Sequence, residues 1–117
     1  MSAWHETLKF VGDSQTAMAN FPLNAKREAG FELWQVQLGL MPSDFKPMPT
    51  VGAGAYEMRV KTQGQWRVIY VAKHADAVYV LHCFYKTTPK TAQPDIDSSA
   101  KRYELFGVQH GTKENRS

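Results

Sequence analysis

The chain has 117 residues, of which 43% are hydrophobic and 21% charged, a net charge of +3 and one cysteine, Cys83. That length suits one domain with one core, and the composition is that of a globular protein. A single cysteine excludes an internal disulfide and a zinc ribbon, and no apolar run reaches transmembrane length, so a cytoplasmic protein without a membrane partner is expected.

The first element expected is a strand over Trp4 to Gly12 (WHETLKFVG), which alternates loosely and ends at a glycine. The N-terminal segment has no basic stretch followed by an apolar one, so no secretory signal is expected. Asp13 or Ser14 is placed to cap a short helix running through Asn20. Phe21-Pro22 breaks that helix, and proline then opens a second one, from Pro22 to Leu38, where its missing N–H costs nothing. Phe31, Trp34 and Leu38 form the apolar stripe of this second helix, extended by Leu33, Val36 and Leu40, and the stripe is read as core rather than ligand site. Gly30 weakens the helix by about 1 kcal/mol against alanine, with close packing on a neighbour as one reason to keep it. Met41 to Pro49, with three prolines, reads as a rigid connection.

A three-strand meander follows. Ala55 to Lys61 alternates, sending Tyr56, Met58 and Val60 to one face and Glu57, Arg59 and Lys61 to the other. A three-residue turn at Thr62-Gln63-Gly64 pairs Arg59 with Arg67 and gathers Val60, Trp66, Met58, Val68, Tyr56 and Tyr70 on the core face. A two-residue turn would shift the register by one and separate the arginines, so the first is preferred. Ala77 to Lys86 is apolar on both faces, with His82, Phe84 and Lys86 on one and Leu81, Cys83 and Tyr85 on the other. Thr87 to Gln93 is a polar loop. A last helix of about twelve residues starts at Pro94, with Ile96, Ala100 and Tyr103 as its apolar stripe. Residues 1–106 are expected to form a single domain and 107–117 a loose tail.

Charge is unevenly spread. Residues 1–45 hold three Lys/Arg against five Asp/Glu, a net −2, and residues 46–117 hold eleven against six, a net +5. An anionic partner is favoured on the basic half, beside the alternative of a merely solubilising surface. No phosphate loop, dinucleotide fingerprint, metalloprotease helix or nucleophile elbow is present, so no cofactor and no metal are expected. The remaining candidates are Arg59, Arg67, Lys86 and Lys90, with Glu57, His82 and Tyr70 near them. Two arginines facing each other repel unless an anion or carboxylate lies between them. Either Glu57 neutralises one, or the pair grips phosphate in bidentate fashion.

The stretch VGAGAYEMRVKTQGQWRVIYVAKHADAVYVLHCFYKTTPKT resembles the HigB-like branch of the RelE/ParE superfamily, toxins of type II toxin–antitoxin systems with phage-derived relatives. The resemblance rests on the order and spacing of "YEMR", "WRVIY", "VYVLHCF" and a lysine-and-threonine-rich segment. It extends upstream to "FKPM", and covers roughly Trp4 to Phe106. It implies an α+β, RelE-like fold: an N-terminal strand and two-helix hairpin on a mainly antiparallel sheet ending in the meander, then a short C-terminal helix. It also implies a metal-independent mRNA endoribonuclease that works on the ribosome, inhibits translation and is neutralised by a co-expressed, HigA-like helix-turn-helix antitoxin. Glu57, Arg59 and Arg67 match the family's strand positions. Lys86 matches the first lysine of its usual pair, Lys90 and Thr91 match further on, Thr87 stands in place of the second lysine, and Pro89 in place of a common polar residue.

RNA carries its own nucleophile, the 2′-hydroxyl, so positioning and charge stabilisation supply much of the chemistry. On this reading Arg59 and Arg67 hold the phosphate, and Lys86 stabilises charge or exchanges a proton. Glu57 is a base or the partner that orients Arg59. His82 is a general acid or base by intrinsic pKa, or else a satisfied core histidine. Lys61, Lys90, Tyr70 and Tyr103 are assigned to RNA binding, with packing as the alternative for the tyrosines. Two other functions stand beside this one: a ParE-like gyrase poison, and a non-catalytic binding module of phage origin.

Overall fold

A computed structural model describes residues 5–74 and 77–110, apart from the side chains of 73–74 and 106–110. Strand β1 (Thr7–Phe10) leads into helices α1 (Ser14–Ala19) and α2 (Leu23–Gln37). Four strands follow: β2 (Phe45–Pro47), β3 (Ala55–Val60), β4 (Trp66–His74) and β5 (Ala77–Tyr85). Helix α3 (Gln93–His110) comes last. The five strands make one mixed sheet in the order β1-β5-β4-β3-β2, with β1 parallel to β5 and every other pair antiparallel. The fold is the expected α+β architecture.

The hairpin register decides where the charges go. Arg59 pairs with Arg67, Met58 with Val68 and Tyr56 with Tyr70, as the three-residue turn requires. Gln63 (φ 58°) and Gly64 (φ 132°) both lie at positive φ. The glycine is needed there, since a Cβ would stand 2.8 Å from the Trp66 indole nitrogen. Gln63 is held by its neighbours: its Oε1 accepts from the Asn24 N–H at 2.9 Å and its carbonyl from Trp66 Nε1 at 3.0 Å.

Alternation in the strands gives the sheet two unlike faces. On one, Met58, Val60, Val68, Tyr70, Val78 and Val80 pack against Ala25, Ala29, Leu33 and Val36 of α2, with Phe21 at the edge. On the other, Ile69, Val71 and Leu81 pack against Met48 and Val51, with Ile96 and Tyr103 of α3 alongside. Helix α3 therefore shares a face with the arginines instead of joining α1 and α2 on the far side.

Several local expectations are corrected. Strand β1 is shorter than Trp4 to Gly12, and Trp4 lies outside the described residues. Neither Asp13 nor Ser14 caps α1 with its side chain. Ser14 Oγ instead donates to the Val80 carbonyl (3.0 Å) and Asp13 accepts from Arg102 (2.9 Å), so each ties a distant element together. The Phe31, Trp34 and Leu38 stripe is not core: Phe31 is 58% exposed and Trp34 40%. The buried stripe is Ala25, Ala29, Leu33 and Val36, on the opposite side of α2, because small residues let the helix lie close to the sheet. A Cβ added at Gly30 would meet nothing within 4 Å, so close packing does not explain this glycine. The connection after α2 contains strand β2, ended by Pro47, which a short edge strand tolerates.

In β5 the pairing jumps between Ile69↔His82 and Tyr70↔Val80, leaving Leu81 as an extra residue. Such a bulge interrupts strict alternation. It puts Leu81 on the α3 side with Phe84 and leaves Cys83 in the other core, so the two do not share a face. The Leu81 carbonyl accepts from Arg102 of α3 at 2.8 Å. Helix α3 is longer than twelve residues: 107–110 of the expected tail continue it, and 111–117 lie outside the described residues. No helix among the described residues is long and apolar enough to cross a membrane.

Candidate functional site

At the hairpin end of the α3 face, four strands bring charged side chains together. Lys46 of β2 lies opposite Glu57 of β3, Arg59 opposite Arg67 of β4, and Arg67 opposite Phe84 of β5. The Lys86 N–H donates to the Gln65 carbonyl at 2.7 Å, carrying the β4–β5 pairing one step beyond Tyr85. Same-face neighbours along and across strands lie within side-chain reach, which sets up the cluster.

Glu57 is its centre. The carboxylate is fully buried at 0% exposure. Its Oε1 lies 3.8 Å from Arg59 Nε and 3.9 Å from Arg67 Nε. Its Oε2 accepts from the Thr91 hydroxyl at 2.6 Å. The two arginines thus share one buried counter-charge, which offsets one of their two positive charges. Each guanidinium is also held at its tip. Arg67 Nη1 donates to the Trp66 carbonyl (2.9 Å) and its Nη2 to Gln65 Oε1 (3.3 Å), and Arg59 Nη1 pairs with Asp44 at 3.5 Å. Lys61 reaches the same Asp44 at 3.2 Å.

The electrostatics follow from burial and crowding. Arg67 is 4% exposed, and burial lowers its guanidinium from the usual value; Glu57 opposes the shift and Arg59 adds to it. Lys86 is lowered too, first by burial; Glu57 again opposes, and Arg67, Lys46 and Arg59 all push the same way. Two carboxylates, Glu57 and Asp44, face Arg59, Arg67, Lys46, Lys61 and Lys86 here, so the basin keeps an excess of positive charge. That suits a phosphodiester with charge growing on its oxygens.

Of the residues singled out in the sequence, the structure brings together Glu57, Arg59, Arg67 and Lys86, with Lys61 at the rim. His82 is two residues from Phe84 along β5, its ring stacked on that residue (centroids 5.1 Å apart), and its Nε2 lies 2.8 Å from Asp95 at the start of α3. That makes His82 a tie between sheet and helix, the packing role open to a mid-strand histidine. Tyr70 is not in the cluster. It is 1% exposed on the α2 face, in stacked contact with Tyr56, and cannot offer its ring to a base. Tyr103 donates to the Ala53 carbonyl at 2.7 Å and lines, with Tyr56 and Tyr70, a separate cleft of about 570 Å³. Lys90 is exposed in the loop after β5, where the Thr88 hydroxyl donates to its carbonyl.

Sequence reasoning gave no role to Lys46, Asp44 or Thr91. The signal for the first two was the Asp44-Phe45-Lys46 alternation, masked by the prolines around it. Burial pushes the Cys83 thiol up to about 12, so it is no nucleophile. Among the described residues no group of three His, Cys, Asp or Glu stands ready to hold a metal.

Residues 16–104 match the family model described as "Phage derived protein Gp49-like (DUF891)". No curated protein matches the chain. The matched span runs from α1 into α3 and takes in every residue of the charged cluster. With most of its length matched on a sheet of this topology, the chain belongs to the phage-derived Gp49-like family, a RelE/ParE-like toxin family.

Proposed function

We propose that the protein is a HigB-like toxin whose basic basin binds mRNA and cleaves it through the RNA 2′-hydroxyl. The observation that carries this reading is the pairing of Arg59 with Arg67 over a buried Glu57, with Lys46, Lys61 and Lys86 around them. Such a basin serves a transesterification that needs no metal. The 2′-oxygen attacks phosphorus, the bond to the 5′-oxygen breaks, and a 2′,3′-cyclic phosphate and a 5′-hydroxyl result. One proton leaves the 2′-hydroxyl and one reaches the departing 5′-oxygen.

Arg59 and Arg67 hold the non-bridging oxygens, where charge grows. Lys86, its pKa lowered first by burial and further by neighbouring cations against the pull of Glu57, is the group assigned to exchange a proton. Glu57 orients the arginines; buried and already bonded by Thr91, it is not free to meet a substrate hydroxyl. His82 supports the sheet-to-α3 contact. Lys61 and Lys90, both exposed, extend the track for neighbouring phosphates. The toxin acts in the cytoplasm on ribosome-bound message, and a HigA-like helix-turn-helix antitoxin neutralises it.

The test is expression without the antitoxin. Wild type arrests growth and leaves new 5′ ends in cellular mRNA by primer extension. Arg67→Ala lowers cleavage by roughly 10²- to 10³-fold, the scale seen when one transition-state donor is removed. Arrest with an unchanged cleavage pattern in Arg67→Ala overturns the assignment. Arrest in wild type with no cleaved message, together with DNA breaks, points instead to gyrase.

A further inference from the structure

We infer that Thr91 is a positioning residue: its hydroxyl sets the Glu57 carboxylate, and through it the two arginines that hold the phosphate. The inference rests on the ribonuclease reading for its kinetic consequence, though not for its geometry.

The Thr91 hydroxyl makes the one hydrogen bond to the Glu57 carboxylate among the described residues. Oε1 has none, and neither have Arg59 Nε and Arg67 Nε, although all three atoms are buried. The contacts from Oε1 to the two Nε atoms, at 3.8 and 3.9 Å, are ion pairs without a hydrogen bond to fix direction. The carboxylate would therefore turn about its terminal bond if Oε2 were free. Thr91 pins Oε2 at 2.6 Å and leaves Oε1 equidistant from both guanidinium groups. Neither arginine is then claimed by Glu57 at the other's expense, and both keep their Nη edges for a ligand or the rim.

Thr91 is well suited to this. It is buried, and its branched Cβ restricts χ1, so the hydroxyl stays aimed. It lies between Lys86 and the start of α3, where the Asp95 and Ile96 N–H groups donate to the Ala92 carbonyl at 3.0 and 3.1 Å. The hydroxyl thus joins the segment after β5 to the charge at the centre of β3.

The test uses Thr91→Val, which keeps the shape and removes the hydroxyl, and Thr91→Ser, which keeps the hydroxyl. Cleavage of message in a reconstituted translation system gives kcat and KM. The Nε–H resonances of Arg59 and Arg67 in the full chain, titrated with inorganic phosphate, report the arginines directly. Thr91→Val is expected to lower kcat by roughly tenfold to a hundredfold, the scale on which a misplacement of an ångström acts, with KM little changed. Both arginine signals are expected to shift or broaden, and their response to phosphate to become unequal. Thr91→Ser is expected to restore both readouts. Wild-type kcat and unmoved arginine signals in Thr91→Val overturn the inference, as does a Thr91→Ser variant as impaired as Thr91→Val. If wild type cleaves no message, the ribonuclease reading fails alone, and the arginine signals of the two variants decide the positioning role.

Discussion

On one face of the sheet, Met58, Val68 and Tyr70 meet Ala29, Leu33 and Val36 of α2 in apolar contact. On the other, the residues next to these in sequence are Glu57, Arg59, Arg67, Ile69 and Val71, and of these Ile69 and Val71 join an apolar core while the other three are charged. A single step along β3 or β4 crosses from close packing to balanced charge. The first face is stabilised by area removed from water. The second keeps buried charges whose desolvation is offset only while every partner is present. Two kinds of fragility follow, and substitution on each face separates them.

The largest effect is expected at Glu57. Glu57→Ala leaves Arg67, 4% exposed, and Arg59 facing each other with no counter-charge between them. Removing one partner of a buried pair costs about 3–5 kcal/mol. Urea unfolding should show the loss, and it should shrink when Arg67 is replaced as well, because the stranded charge is then gone. A Glu57→Ala midpoint equal to wild type would break the claim that charge balance holds this face. On the other face Leu33→Ala, at a fully buried position, is expected to cost about 2–5 kcal/mol. Below its unfolding transition that variant should cleave message as wild type does, since α2 lies across the sheet from the basin. Reduced kcat in folded Leu33→Ala would show that the faces are coupled.

What the sequence made legible was whatever depended on local period and turn chemistry. Alternation in β3 and the glycine at 64 were enough to place Arg59 beside Arg67, and the family resemblance pointed at the same strands. What it hid depended on choices between equal patterns. Helix α2 is apolar on two sides, so period alone could not say whether Phe31 and Trp34 or Ala25 and Ala29 met the sheet; the smaller residues won because they allow closer approach. Strand β2 was concealed by proline, and with it Lys46 and Asp44. The bulge at Leu81 cannot be seen in a run that is apolar on both faces. Thr91 matched the family pattern, but only the fold shows its hydroxyl against a carboxylate 34 residues away.

Tyr70 offers a smaller effect with a distinctive pH signature. Its hydroxyl is buried on the α2 face without a hydrogen-bond partner among the described residues, and burial, aided by Tyr56 and Glu32, pushes its pKa well above the ordinary 10.0. Tyr70→Phe removes the unsatisfied group, and a gain of roughly 1 kcal/mol near neutral pH is expected. The sign at high pH follows from proton counts. Above pH 10 the unfolded tyrosine loses its proton while the folded one keeps it, so the native state binds more protons and stability falls as pH rises. Wild type should lose stability through that range faster than Tyr70→Phe. Parallel curves would mean that the hydroxyl reaches water or a partner.

The smallest effect is expected on the outer stripe of α2, and it tests the face assignment most directly. Phe31 reads from its spacing as core, and a buried phenylalanine costs about 3–5 kcal/mol when truncated to alanine. The structure leaves it 58% exposed, with Leu23 and Trp34 exposed on the same helix. Trp34 has the His5 ring against it, at 5.0 Å between centroids, so it is a less clean probe. Phe31→Ser in the isolated protein should therefore change stability by no more than about 0.5 kcal/mol, as at other exposed sites. A loss of about 2 kcal/mol or more, on the scale of core truncation, would put Phe31 in a packed interior and reverse the two sides of α2. That reversal would also remove Leu33 and Val36 from the sheet, so the outcome must agree with Leu33→Ala. The pair of substitutions fixes the helix rotation from solution measurements alone.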